Sequence, residues 1–251
     1  MNKIAKLKEY IANAKKIVFF GGAGVSTESG IPDFRSKDGL YNKPDVQFDK
    51  YDPEYLLSSY CLFDEPEVFY EFYRQKMDTR NIEPNITHYK LAELEKTKDL
   101  WTVTQNIDGL HQKAGSQNVI EIHGTAQVCH CRKCGKEYPA SYVFDCKEPI
   151  PKCHACEGEI NPYCSQENAI IRPNITLYGE MLPPSFRLAT KKISEADLVI
   201  VGGTSLSVYP ASGLISSVKG KLVIINRDVT RADKKADLVI HKSLGKVFSQ
   251  L

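Results

Sequence analysis

The sequence predicts an α/β fold: a Rossmann-like doubly wound parallel sheet that carries a smaller domain of inserted segments. Short runs rich in Val and Ile alternate along the chain with segments of helical periodicity, a pattern typical of parallel β-α-β units. A Gly-rich turn follows the first of these runs, and a cysteine-rich segment interrupts the alternation. The composition, with 42% hydrophobic and 25% charged residues, is that of a globular protein.

The predicted elements follow one another in this alternating order. The first is an amphipathic helix within residues 1–16. Short apolar runs bounded by Gly or polar residues then predict buried strands at Lys16–Gly21, Leu100–Gln105, Val119–Ile122, Asn174–Tyr178, Asp197–Gly203, Lys221–Asn226 and Asp237–His241. Helical periodicity between them predicts helices at Thr87–Lys96, Pro184–Glu195 and Ala211–Lys219. Ligands of such sheets bind beyond the carboxyl ends of the strands.

Two segments break the alternation, and strand-like sequence resumes after each, so both are interpreted as insertions. Residues 36–84 are rich in Tyr, Phe and Glu and are predicted to be helical. Residues 126–171 contain seven of the eight cysteines. We expect these two segments to form the small domain, and residues 1–35, 85–125 and 172–251 to form the sheet domain.

Charge and hydropathy limit the partners of the chain. Lys and Arg total 33 against 31 Asp and Glu, and a net charge of +2 gives no general attraction to nucleic acids or membrane surfaces. Apolar runs stay shorter than a membrane helix requires, and the first residues lack the pattern of a secretory signal. We therefore expect a cytoplasmic, monomeric protein with no direct nucleic-acid or membrane partner.

The cysteine-rich segment contains two Cys-X-X-Cys pairs, which 18 residues separate. Four thiolates at this spacing favour zinc, and four protein ligands leave no open position, so the metal is predicted to be structural. The predicted ligands are Cys131, Cys134, Cys153 and Cys156. Cys129 and Cys131 form a competing first pair, and the roles of Cys146 and Cys164 stay open. The alternative is that all these thiols are unliganded.

The turn after the first strand has the composition of a phosphate-binding loop, since glycines let backbone N–H groups approach a phosphate closely. Gly22 and Gly24 fit the pattern G-x-G-x-x-G, but Thr27 occupies the third Gly position. An acidic ribose partner at the usual distance is also missing. An ordinary dehydrogenase is therefore disfavoured.

Several longer motifs, in this order, resemble the sirtuin family over nearly the whole chain. They are Gly22–Ser26, Gly30–Ser36, Thr104–His111, His123–Gly124, the four-cysteine element, Arg172–Glu180, Gly203–Ala211 and Ile225–Asn226. The resemblance implies NAD as a consumed co-substrate. It places at the dinucleotide site Gly22, Ala23, Gly24, Thr27, Phe34, Arg35, Gln105, Asn106, Ile107, Asp108, Gly203, Thr204, Ser205, Asn226 and Leu244.

The resemblance also implies the reaction, which removes an acyl group from a protein lysine. The acyl oxygen attacks the nicotinamide ribose, and His123 as general base takes a proton from a ribose hydroxyl. That hydroxyl oxygen then attacks the acyl carbon, water completes the reaction, and the products are nicotinamide, free lysine and an O-acyl-ADP-ribose. Asn106 and Asp108 are the other implied catalytic residues. The implied acyl-lysine contacts are Phe34, His123, Tyr178, Gly179, Val208 and Tyr209.

The stretch Ser36–Lys43 lacks the Tyr and Arg of desuccinylating relatives, which favours neutral acyl groups, acetyl first. Two alternatives use the same NAD site: a protein ADP-ribosyltransferase and a non-catalytic NAD-sensing module. The intact motifs around Asn106, Asp108 and His123 favour the deacylase over both.

Overall fold

The computed structural model describes residues 2–36, 39–42, 45–156 and 169–251. It divides into two compact units. The first, called here the sheet unit, comprises Met1–Asn42, Ile82–His123 and Leu182–Leu251; the second, the cysteine unit, comprises Lys43–Asn81 and Gly124–Met181. These units differ from the sequence-based domains at their boundaries, most at residues 172–181, which belong to the cysteine unit. Lys37, Lys43 and Cys164 lie outside the described residues.

The described part of the chain forms these elements. The strands are β1 (Lys16–Gly21), β2 (Asp99–Thr104), β3 (Val119–Glu121), β4 (Gly124–Cys131), β5 (Glu137–Pro139), β6 (Ile171–Ile175), β7 (Leu198–Gly202), β8 (Lys221–Ile225) and β9 (Leu238–Ile240). The helices are α1 (Lys3–Asn13), α2 (Pro53–Leu56), α3 (Ser59–Asp64), α4 (Pro66–Lys76), α5 (Ile86–Glu95), α6 (Leu110–Lys113), α7 (Ser141–Phe144), α8 (Ser185–Glu195) and α9 (Leu244–Phe248). Ala211–Ser217, predicted as part of an α-helix, is a 3-10 helix.

The sheet unit contains a six-stranded parallel sheet in the order β3-β2-β1-β7-β8-β9. The predicted α/β class and doubly wound parallel sheet are confirmed. The strand order reverses between β1 and β7, and a doubly wound sheet binds its ligands at such a point. The loops that leave β1, β2 and β7 therefore meet where the sequence motifs predict the site.

Alternation along the strands supplies two apolar layers, one on each face of this sheet. On β1, Ile17 and Phe19 join one buried cluster, and Val18 and Phe20 join the other. Residues of α1, α5 and α9 complete the first cluster, and residues of α8 and the 3-10 helix at Ala211–Ser217 complete the second. The two layers hold the carboxyl ends of the strands in fixed positions.

The cysteine unit contains a small antiparallel sheet in the order β5-β4-β6. The strand predicted at Asn174–Tyr178 as part of the parallel sheet was wrong in place and in partner: it forms at Ile171–Ile175 and pairs with β4. A short apolar run specifies a buried strand but not its partner. β4 itself was missed because its Thr, Gln, Cys and His residues hide the apolar pattern. Within the segment predicted to be helical, Pro53 and Pro66 begin α2 and α4.

Candidate active site and metal centre

The turn that leaves β1 is built from two short 3-10 helices, Ala23–Val25 and Thr27–Ser29. Ser26 separates the two 3-10 helices. The second ends at Gly30, whose φ of +93° lies in the left-handed region that favours glycine.

Glycines bring the turn after β1 into backbone contact with the turn after β7. The Gly24 N–H donates to Gly203 O at 2.8 Å, and Gly22 N–H donates to Gly202 O at 3.2 Å. A Cβ on Gly24 would meet the Gly203 Cα and O at 2.8 Å, and Gly203 itself has a φ of +60°. Side chains larger than hydrogen are excluded here. Such a backbone-lined cradle fits the diphosphate of a dinucleotide.

Ser26 is the centre of a buried polar cluster that joins the turn after β1 to the loop after β2. Its hydroxyl donates to Asp108 Oδ2 at 2.7 Å and accepts from Asn106 Nδ2 at 3.0 Å. The Leu110 N–H donates to Asp108 Oδ1 at 2.9 Å. Burial raises the pKa of Asp108, and the hydrogen bonds from Ser26, Leu110 and Asn106 oppose that rise. Asp108 is thus an oriented acceptor in a low-dielectric surrounding.

His123 follows β3 and is oriented by the backbone of Gln105. Its Nδ1 lies 2.9 Å from Gln105 O, and a carbonyl oxygen only accepts hydrogen bonds. Nδ1 therefore carries the proton, and the lone pair is on Nε2. Burial lowers the pKa of His123, while the bond to Gln105 opposes the shift, so the ring is neutral at neutral pH. The geometry defines Nε2 as the proton acceptor.

Gln105 also connects the loop after β2 to the turns after β1 and β7. Its backbone N–H donates to Gly21 O at 3.0 Å, and its side-chain amide donates to Thr204 Oγ1 at 3.1 Å. Thr204 Oγ1 also accepts from the Leu206 N–H at 3.2 Å. Leu206, with a φ of +55°, is a non-glycine residue in the left-handed region, a form of strain that clusters at functional sites.

The described residues that follow Gly30 are held by the Asp33 carboxylate and by contacts with the Tyr41 ring. Asp33 Oδ1 accepts from the Arg35 N–H at 3.1 Å and from the Ser36 N–H at 2.8 Å. The Phe34 ring packs against the Tyr41 ring at 5.3 Å, and the Arg35 guanidinium lies 5.5 Å from the same ring. Phe34 and Arg35 thus both lie beside the Tyr41 ring.

Further predicted residues of the sheet unit follow β7, β8 and β9 along the chain. Ser205 Oγ lies 2.7 Å from Ser207 Oγ, and the Tyr209 side chain is 84% exposed. Asn226 Nδ2 donates to Asp228 O at 2.9 Å. Leu244 is a buried member of the hydrophobic core, and a Cβ on Gly202 would meet its side chain at 2.9 Å. Leu244 therefore packs under the β7 turn.

Tyr178 and Gly179 lie in the cysteine unit, in a turn that follows β6. The Tyr178 N–H donates to Leu57 O at 3.0 Å, and Tyr178 O accepts from the Ser59 N–H at 2.9 Å. Gly179 has a φ of +88°. The backbone of Tyr178 is thus already paired within its own unit.

An ion pair that the sequence reasoning did not identify holds this turn. Arg172 donates to both carboxylate oxygens of Glu180, at 2.5 and 3.0 Å, and to Ile175 O at 2.8 Å. The Leu177 N–H donates to Glu180 Oε2 at 2.9 Å. The signal was available as opposite charges at the two ends of the motif Arg172–Glu180. The role of Ser26 was also not predicted, although Ser26 ends the motif Gly22–Ser26.

The four predicted metal ligands come together in the cysteine unit. The Sγ atoms of Cys131, Cys134, Cys153 and Cys156 all lie within 4.8 Å of one another. The Cys131–Cys156 and Cys134–Cys153 sulfur pairs are 3.7 and 3.8 Å apart. A tetrahedron with Zn–S bonds of about 2.3 Å has edges of about 3.8 Å, so the four thiols fit one structural zinc. Cys129 is buried and lies outside this cluster of ligating atoms.

Comparisons with known proteins identify the family. The Sir2 family model matches residues 22–210. A protein of Clostridium acetobutylicum named NAD-dependent protein deacetylase is 50% identical over 251 residues, covering 99% of this chain and 97% of that protein. The chain therefore belongs to the Sir2 family, as the sequence resemblance predicted.

Solved structures agree with this assignment. A Sir2 structure with deacetylated p53 peptide and 3'-O-acetyl ADP ribose has a TM-score of 0.85 and 34% identity, covering 98% of this chain and 96% of that chain. A structure of Sir2Tm bound to a propionylated peptide has a TM-score of 0.83 and 34% identity, covering 100% and 97%. Among the described residues, no helix is both long and apolar enough to span a membrane.

Proposed function

We propose that this protein removes acyl groups, acetyl first, from protein lysines and consumes NAD, giving nicotinamide, free lysine and O-acyl-ADP-ribose. The observation that carries the proposal is His123, neutral and with Nε2 as its proton acceptor, beside the buried cluster of Ser26, Asn106 and Asp108. The proposal also rests on the similarity to proteins named NAD-dependent protein deacetylase.

NAD binding is assigned to the turns that meet at the reversal of strand order. The backbone cradle of Gly22, Ala23, Gly24 and Gly203 suits the diphosphate, since its glycines let a phosphate approach the main chain closely. Thr27, Phe34, Arg35, Thr204 and Ser205 surround that cradle in our assignment. We assign Gln105, Asn106 and Ile107 to the nicotinamide ribose, and Asn226 and Leu244 to the adenosine end.

NAD supplies a ribose carbon that loses nicotinamide and accepts the acyl oxygen. His123 takes a proton from a ribose hydroxyl through Nε2, so that this oxygen can attack the acyl carbon, and water then releases the free lysine. The bond of His123 to Gln105 O stabilises the imidazolium that forms. The ring is already neutral because burial lowers its pKa, so it begins the step as a base. This makes His123 the general base of the reaction.

Asp108 and Asn106 orient the nicotinamide in this proposal. Asp108 Oδ2 accepts from the Ser26 hydroxyl and Oδ1 from the Leu110 N–H, which orients the carboxylate as an acceptor for the carboxamide. The Asn106 side-chain amide is held by the Ser26 hydroxyl. Burial of this cluster strengthens each of these contacts.

The acyl-lysine contacts are assigned within each unit separately. In the sheet unit they are Phe34, His123, Val208 and the exposed Tyr209. In the cysteine unit they are Tyr178 and Gly179, whose turn the ion pair of Arg172 and Glu180 holds. Zinc, bound by the four thiolates, has a structural role. The cytoplasmic location and monomeric state expected from the sequence stay predictions.

The test measures nicotinamide release and lysine deacetylation together, with an acetyl-lysine peptide, for the wild type and His123→Ala. We expect stoichiometric release and deacetylation in the wild type, and a loss of both by at least about 10²-fold in the variant with NAD binding retained. NAD binding by calorimetry is the control for folding. ADP-ribosylated protein in place of acyl-ADP-ribose would indicate the transferase, and NAD binding without turnover of any acyl peptide would indicate the sensor.

A further inference from the structure

Asn85 is the N-terminal cap of α5, and its side chain also contacts the turn after β1, 60 residues earlier in the chain. Its Nδ2 group donates to Val25 O at 2.8 Å and to Ser29 Oγ at 3.0 Å. One amide group therefore bonds to both 3-10 helices of the turn, one bond on each side of Ser26.

The side-chain oxygen and the backbone N–H of Asn85 are held by the first turn of α5. Its Oδ1 accepts from the Thr87 N–H at 3.0 Å, and its own N–H donates to His88 Nδ1 at 3.2 Å. These bonds form a capping box in which His88 takes the place usually held by Glu or Gln. Burial lowers the pKa of His88 to about 4, so Nδ1 keeps its lone pair at neutral pH. The cap is thus rigid before it contacts the turn.

One buried carbonyl of the turn after β1 takes its hydrogen bond from outside the turn. Each 3-10 helix closes its own backbone bonds, such as Ser26 N–H to Ala23 O and Gly30 N–H to Thr27 O, and Gly30 ends the second helix. Val25 is buried, and its carbonyl oxygen is not an acceptor in the backbone hydrogen bonds of the first 3-10 helix. An unpaired buried carbonyl is costly, so the Asn85 amide stabilises this form of the turn.

We propose that Asn85 is a positioning residue for the NAD site: it fixes the turn at 22–30 so that Ser26 holds Asn106 and Asp108 in the geometry that binds the nucleotide. This inference rests on the proposed function. Val25 and Ser29, the residues bonded to Asn85, flank Ser26 in the buried cluster. A displaced turn moves the Ser26 hydroxyl away from both its partners, and the glycine cradle moves with it.

The experiment compares the same substitution at two helix caps. Asn85→Ser keeps an N-terminal cap on α5, because Ser caps as well as Asn, but removes the amide that reaches Val25 and Ser29. Asn2→Ser is the matched control, since Asn2 caps α1 through a bond from the Ile4 N–H. Calorimetry gives the dissociation constant of NAD, and steady-state kinetics gives KM for NAD and for the acetyl-lysine peptide.

We expect Asn85→Ser to weaken NAD binding and raise KM for NAD roughly tenfold or more, with KM for the peptide changed less than about twofold. Ser29→Ala, which removes one of the two acceptors, has a smaller effect in the same direction. Asn2→Ser leaves all three constants within about twofold of the wild type.

Unchanged NAD affinity in Asn85→Ser overturns the inference, as does an equal loss in Asn2→Ser or an equal rise in KM for both substrates. If Asn85→Ser does not fold, Ser29→Ala decides, and unchanged NAD affinity there also overturns it. Failure of the proposed function is a separate result: the wild type would then bind NAD without turnover, and the calorimetric comparison of the variants would still test Asn85.

Discussion

The two units are stabilised by different means. The sheet unit has six parallel strands between two buried apolar layers, with aliphatic and aromatic residues from five helical elements. The cysteine unit has three strands, one of them only Glu137–Pro139, and a cluster of four thiols. Both units bury apolar side chains, since Phe69, Tyr70 and Tyr73 of α4 are fully buried in the cysteine unit, but the cysteine unit adds a metal to its smaller sheet.

The difference extends to how each unit positions its functional residues. In the sheet unit, buried side chains at strand ends hold one another, as Ser26 holds Asn106 and Asp108. In the cysteine unit, charged and metal-binding groups hold turns, as Arg172 holds Glu180. Changes that remove a charge or a ligand should therefore act mainly on the cysteine unit, and changes that protonate or truncate the interior mainly on the sheet unit.

The largest effect is expected from loss of the metal. Cys153→Ser removes one of four ligands, and structural zinc contributes about 10 kcal/mol or more to folding in small zinc domains. We expect zinc to be lost and the amides of β4–β6 to exchange rapidly, with β1 and β7 still protected. Zinc content by absorption spectroscopy and hydrogen exchange by mass spectrometry check this. Cys129→Ser, outside the cluster, is the control that should retain zinc.

The next largest effect in the cysteine unit is expected from Arg172→Met, which removes the cation of an ion pair. It leaves Glu180 partly buried without its cation, with side-chain exposures of 12% for Arg172 and 24% for Glu180 in the intact pair. Removing one partner of a largely buried pair costs roughly 2–4 kcal/mol, less than for full burial. We expect a lower denaturation midpoint and a raised KM for the peptide.

The double variant Arg172→Met/Glu180→Gln isolates the interaction between the two side chains. It should recover part of the lost stability, because no carboxylate is then left without a cation. Additive losses in the two single variants would show that Arg172 acts on this turn through Ile175 O and not through Glu180.

Acid should act on the sheet unit through His88. Burial lowers the pKa of His88 from 6.5 to about 4. Between these two pH values, His88 is protonated in the unfolded chain and neutral in the folded chain. This contribution to stability is complete above pH 6.5 and is lost as the pH falls towards 4, by about 2 kcal/mol at pH 5. His88→Gln keeps the capping box without a titrating ring.

The check is urea unfolding of the wild type and His88→Gln at pH 7.5 and 5.0, followed by a probe in the sheet unit. The variant should lose about 2 kcal/mol less than the wild type over this range. Equal losses would show that His88 does not titrate as its burial requires. The pKa of His111 is lowered to about 3, first by burial and then by the charge of His88, so His111 contributes an acid-dependent loss of its own.

Local patterns were enough for much of this structure. The predicted bounds of β1 were correct, and the strands from β7 to β9 were predicted within one residue at either end, because buried parallel strands are continuous apolar runs. The four metal ligands were also predicted, since spacing fixes a zinc knuckle. Contacts between distant segments were not predicted. Examples are the bond from Asn85 to Val25 and the pairing of β6 with β4, because no local pattern specifies which segments meet.

The smallest expected effect sharpens the role of the metal in the cysteine unit. The Tyr138 hydroxyl lies 3.0 Å from Cys153 Sγ, and a zinc-bound thiolate is an acceptor, so the hydroxyl donates. The neighbouring Tyr142 packs its ring 4.4 Å from that of Tyr138, but its hydroxyl donates to Lys152 O at 2.9 Å. One tyrosine contacts the ligand atom, and the other contacts the backbone beside it.

Tyr138→Phe and Tyr142→Phe are therefore a matched pair in which each removes one hydroxyl and keeps its ring. Loss of a hydrogen bond to a metal ligand weakens metal binding by about 10-fold or more, so Tyr138→Phe should release zinc to a chromogenic chelator about tenfold faster. Tyr142→Phe should stay within about twofold of the wild type. Equal rates in both variants would mean that the tyrosines stabilise the loop around Cys153 and not its thiolate. The zinc would then depend on its four ligands alone, while the sheet unit keeps its site through bonds between many side chains.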